Sequence, residues 1–91
     1  MVGSGKRRSA TERHVPTIHR EAEYAFRFRA NDRSEPPHVH VEDNGGRAKF
    51  WLPDAGLARS EGYNRRQLAA IQLIVAENAE RWLRQWHDFF D

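Results

Sequence analysis

The chain has 91 residues, a net charge of +2, a mean hydropathy of −0.90 and no cysteine. That length allows one domain, and the lack of thiols excludes both a disulfide framework and a thiolate metal site and predicts a reducing, cytoplasmic setting. No apolar run reaches membrane-spanning length or backs the basic residues near the start, so neither a transmembrane helix nor a secretory signal is expected.

The opening stretch MVGSGKRRSATERH is polar and aperiodic, and residues 1–15 are expected to form a disordered basic tail, with a single α+β domain over residues 16–91. The tail carries Lys6, Arg7, Arg8 and Arg13 against Glu12. The remaining body is therefore close to neutral, a weaker nucleic-acid signal than the pI of about 9.5 suggests. A folded part of this size covers its ordering entropy only narrowly, so a partner or a homo-oligomer is expected to add stability.

Pro16-Thr17-Ile18 reads as a short edge strand. Next, Tyr24, Phe26 and Phe28 alternate with Ala25, Arg27 and Arg29, the period of a half-buried strand. The loop NDRSEPP follows, its two prolines favouring extended backbone. Residues 38–52 then read as a β-hairpin, HVHVE and RAKFWL around Asn44-Gly45, a dipeptide that tolerates the positive φ angles of a type I′ turn. This turn sets Val39 opposite Phe50 and Val41 opposite Ala48, with His38 opposite Trp51, His40 opposite Lys49 and Glu42 opposite Arg47. LARSEGY holds a further short extended piece. From Asn64, apolar residues recur every three or four positions through Leu68, Ile71, Val75, Ala79, Trp82, Trp86 and Phe89. Asn64 and Gln67 form a capping-box pattern, so a long C-terminal helix is predicted to start there, with a break near Trp86. The expected fold is a three-to-four-stranded antiparallel sheet with one face covered by this helix.

The other face then collects Arg27, Arg29, His38, His40, Glu42, Lys49 and Trp51, outside the core. Three chemistries compete for it. His38 and His40 can act as general acid and base on an RNA phosphodiester, with Glu42 orienting an imidazole, Lys49 and the arginines stabilising phosphate charge, and Trp51 stacking on a base. Such a metal-independent ribonuclease needs no cofactor. Alternatively, H-x-H-x-E converges on a divalent metal. The bland reading makes these side chains solvated polar residues, against which Trp51 argues for a ligand or partner site.

V-P-T-I, E-P-P-H-V-H-V, A-K-F-W-L and the closing W-H-D-F-F, spread over Val15 to Phe90, together resemble a bacterial family of small proteins, domain-of-unknown-function family 4160. The carried-over signature falls on Pro36, Pro37, His38, His40 and Val41, with Lys49, Phe50, Trp51 and Leu52 in the second hairpin strand. Met1 to His14 precedes the usual family start, which resembles M-P-T-I. The resemblance implies a cytosolic toxin of a toxin–antitoxin module, neutralised by a small cognate antitoxin. Combined with the His, Lys, Arg and Trp face, it makes a toxin acting on RNA or translation the leading expectation. A non-catalytic protein-interaction module using the same face is second, and a metal-binding enzyme third.

Overall fold

Five antiparallel strands lie side by side in the order in which the chain runs. The computed structural model describes residues 17–30 and 32–91, so the tail expected over residues 1–15 lies outside the described part. The strands are β1 (Thr17–Glu21), β2 (Tyr24–Arg27), β3 (His38–Asp43), β4 (Gly46–Trp51) and β5 (Leu57–Glu61), and a single helix, α1 (Arg65–Phe90), follows.

The count of five corrects the three to four strands expected. Both edge segments pair with their neighbours, each across one register irregularity, yet each is short and largely polar, so neither carries the alternation that identifies a half-buried strand. The turn between β1 and β2 is hidden for another reason. It is made by Ala22 and Glu23, with φ of 52° and 70°, residue types that seldom adopt the left-handed region.

The hairpin follows the predicted register, with His38 opposite Trp51, Val39 opposite Phe50, His40 opposite Lys49, Val41 opposite Ala48 and Glu42 opposite Arg47. Asn44 and Gly45 make the turn, at φ of 56° and 96°. Gly46 serves a different purpose. A Cβ there would come within 2.6 Å of the Glu61 carbonyl oxygen and 2.8 Å of the Tyr63 ring, so only glycine lets the chain after β5 cross so closely.

Asn64 caps α1 through both bonds of the capping box: its side chain accepts from the Gln67 backbone N–H at 2.8 Å and the Gln67 side chain accepts from the Asn64 backbone N–H at 2.9 Å. The helix runs unbroken past Trp86, contrary to the expected break. Its buried stripe of Ile71, Ile74, Val75, Ala79, Trp82, Trp86 and Phe90 lies against Phe26, Phe28, Val39, Val41 and Phe50, all essentially inaccessible. Phe26 stacks on Trp82 at 5.1 Å, and Phe28 meets Trp86 edge-on at 5.5 Å. Burial of this kind contributes about 1.5–3 kcal/mol per large apolar side chain. No helix among the described residues is long and apolar enough to cross a membrane.

Candidate functional site

The face opposite the helix is organised in rows, because directly paired residues of an antiparallel sheet share a face. One row runs across four strands: Arg27 pairs with His40, His40 with Lys49, and Lys49 with Arg59. The adjacent row carries Ala25, Glu42, Arg47 and Glu61. Ion pairs run within and between the rows, with Arg27 to Glu42 at 3.2 Å and Arg47 to Glu61 at 3.0 Å.

Beside His40 the row opens into a cleft of about 420 Å³, lined by Arg29, His40, Arg47, Lys49, Arg59 and Glu61, together with Ala48 and Ser60. Four cations thus face one carboxylate. Lys49 pairs with Glu35, whose carboxyl that bond holds below the usual range, and the Lys49 ammonium also lies 4.9 Å from the centre of the Trp51 ring. Arg29 and Arg59 are exposed, and neither has a carboxylate partner among the described residues.

The histidines are not laid out on an open surface. His38 and His40 retain only 1% and 8% of their exposure, which corrects the expectation that strand alternation leaves both in solvent. Two elements close over them. The turn Asp32–Ser34 folds back from the loop, and the last part of α1 brings Trp86 to 5.2 Å from the His38 ring, which also packs against Trp51 at 5.7 Å.

Asp32 joins the pair. Its Oδ1 lies 3.1 Å from Nε2 of His38 and 3.1 Å from Nε2 of His40, while its Oδ2 accepts the Arg29 backbone N–H at 2.7 Å. Burial alone would raise the Asp32 carboxyl. The contacts with His38 and His40, the hydrogen bond from the Arg29 backbone and the charge of His40 together outweigh burial and hold it well below the ordinary carboxylate range. The second nitrogen of His38, Nδ1, lies 2.8 Å from the Pro36 carbonyl oxygen.

Glu42, assigned the task of orienting an imidazole, instead faces Arg27. Asp32 occupies that role, and sequence reasoning passed over it because it sits in an irregular loop. An aspartate six residues before an H-x-H strand, in a loop short enough to fold back, was the available signal. Arg59 was missed because β5 was read only as an extended piece without a register.

The family model for a domain of unknown function (DUF4160) matches residues 24–87. The chain belongs to this family. No curated protein and no solved structure matches it significantly. The matched region of this DUF4160 protein contains Asp32, both histidines, Lys49, Trp51 and Arg59.

Proposed function

We propose that this DUF4160 protein is the toxin of a bacterial toxin–antitoxin module and acts on RNA, which it grips by the phosphate backbone with the helix-free face of its sheet. The observation that carries this reading is the direct cross-strand pairing of two cations, Lys49 and Arg59, beside a cleft that also holds Arg29, which has no carboxylate partner among the described residues. Like charges directly opposite in a sheet are unfavourable. Glu35 already meets the Lys49 ammonium, which leaves Arg59 and Arg29 as the cations to which a phosphodiester chain would supply an anion. Trp51, half-buried beside Lys49, offers an edge on which an unpaired base can stack. A small antitoxin with an acidic segment would compete for the same cations and so neutralise the toxin.

This reading departs from two-histidine acid–base catalysis. A phosphodiester cannot reach His38, whose ring is sealed and has both nitrogens engaged. Phosphate capture rests instead on Arg29, Lys49 and Arg59, with Arg27 at the far end of the row.

The test is binding of a fluorescently labelled single-stranded RNA, followed by anisotropy over a range of salt concentrations. The wild type is expected to bind with a steep salt dependence. In an Arg29→Ala/Arg59→Ala variant the slope of log K against log salt should shrink by roughly 0.7 per arginine. Total RNA or translation in a bacterium induced for the wild type should be disturbed, and spared by the same variant. An absence of RNA binding by the folded wild type overturns the proposal.

A further inference from the structure

His38 poses a problem of hydrogen bookkeeping. A carbonyl oxygen only accepts, so Nδ1, 2.8 Å from the Pro36 oxygen, must carry the hydrogen. In the neutral ring that leaves a lone pair on Nε2, aimed at Asp32 Oδ1, an ionised oxygen that is itself only an acceptor, 3.1 Å away. Two acceptors face each other among buried side chains. Something positive must lie between them, either a second ring hydrogen or a metal cation.

We infer that Asp32, His38 and His40 form a binding site for a divalent transition-metal ion of the zinc class, with His38 and His40 ligating through Nε2 and Asp32 through Oδ1. Four features support the ion over the extra hydrogen. All three residues are buried, at 6%, 1% and 8% exposure, and a ligating atom from each lies within 4.8 Å of the others. The distances suit an ion: Zn–N and Zn–O bonds of about 2.0–2.1 Å imply ligand-to-ligand edges of about 3.3 Å in a tetrahedron, against 3.1 Å for both oxygen–nitrogen edges here. The ion would draw the two imidazoles onto a similar edge. The supporting shell has the form that metal sites require, since Pro36 fixes the His38 tautomer and orientation and the Arg29 N–H holds the other Asp32 oxygen. Finally, three protein ligands leave a fourth position for water or substrate, and His40 is a wall of the cation-lined cleft.

This inference stands apart from RNA binding, because it concerns a different set of atoms and is read without nucleic acid. It departs from the H-x-H-x-E set by replacing Glu42 with Asp32.

The experiment uses the full chain without an affinity tag, stripped by chelator and titrated with Co²⁺ followed by visible absorption, and with Zn²⁺ in a calorimeter. The expected result is saturable binding of one ion per chain with ligand-field bands of nitrogen and oxygen coordination. His40→Gln, at the edge of the site, and Asp32→Asn should each lose that spectrum and weaken Zn²⁺ binding at least tenfold, while His14→Ala/His87→Ala, which removes two histidines outside the cluster, should bind as the wild type does. Absence of saturable binding by the folded wild type overturns the inference. So does binding that survives in both cluster variants or disappears with His14 and His87. Should either cluster variant fail to fold, the wild type and the His14→Ala/His87→Ala protein still decide between the outcomes.

Discussion

Oδ1 of Asp32 lies 3.1 Å from Nε2 of His40, and both residues are buried. The contact ties the loop between β2 and β3 to the middle of the sheet, and through His38 the same oxygen reaches the start of β3. Asp32 therefore anchors the covering turn and stands against both rings together. Asp32→Ala is expected to cost about 3 kcal/mol, since removing one member of a buried charged cluster strands its partners. Asp32→Asn, which keeps an acceptor for the Arg29 N–H, should cost clearly less. Urea denaturation of the two variants in chelator measures both, and equal losses would show that the hydrogen bonds contribute nothing beyond side-chain volume.

Phe50 is a second point where the inside and outside of the sheet can be checked. It is 1% exposed and stands opposite Val39 on the helix-covered side. Phe50→Ala should destabilise by about 3–5 kcal/mol through lost transfer energy and the cavity left behind. A loss under 1 kcal/mol in denaturant melting would exchange the two faces.

Much of this fold was legible in the residues. Strict alternation in YAFRFR and around Asn44-Gly45 identified the three central strands and the register of the hairpin, and the period from Leu68 to Phe89 with the Asn64 and Gln67 cap identified the helix. Those signals are local. The edge strands showed in the residues only as short extended pieces whose bounds and register depend on what they pair with, and the burial of His38 depends on Trp86, nearly fifty residues along the chain, and on a loop that folds back over the sheet. Alternation assigns a residue to a face, but it does not say what closes over that face. The same limit explains why Glu42 was chosen as the imidazole's partner over Asp32.

Backbone geometry at the turns gives a pair of opposed expectations. Ala22 holds φ at 52° between β1 and β2, a conformation that costs a non-glycine residue about 1–2 kcal/mol. Ala22→Gly should therefore raise stability by up to about 1 kcal/mol, after glycine's own entropic cost. Gly46→Ala should do the reverse, by about 1–3 kcal/mol, because its new Cβ meets backbone at Glu61 and Gly62 that cannot easily retreat. Thermal melts that moved in the same direction for both would contradict this account.

Tyr63 links the end of β5 to the hairpin turn, its hydroxyl donating to the Asp43 carbonyl oxygen at 2.6 Å. Burial, with the nearby Tyr24, Asp43 and Glu42, pushes its phenol from 10.0 up to about 12. A raised value means that the folded state binds the proton more tightly than the unfolded one. The contribution to stability is fully present below pH 10 and fades as the pH rises towards 12. Ultraviolet absorption should show a late phenolate step near pH 12 that is missing in Tyr63→Phe. Full ionisation of both tyrosines by pH 10.5 in the folded protein would rule this out.

Arg59 separates function from stability, because the two should respond to it in opposite directions. It stands directly opposite Lys49 across β4 and β5, and although Glu35 already pairs with the Lys49 ammonium, the row keeps a net positive charge that an anion would relieve. Arg59→Glu turns the repulsion within that row into attraction and is expected to stabilise the fold by about 0.5 kcal/mol at low salt, the ordinary scale of an exposed cross-strand pair. The same change removes one of the two cleft cations that have no carboxylate partner among the described residues and adds a carboxylate, so single-stranded RNA affinity should fall at least tenfold. Thermal melting and anisotropy on one preparation give both values. A gain in stability with RNA affinity retained would show that the cation row is not where phosphate binds. A loss of both would mean that Arg59 makes a favourable contact within the fold, and that the apo face carries no repulsion for a ligand to relieve.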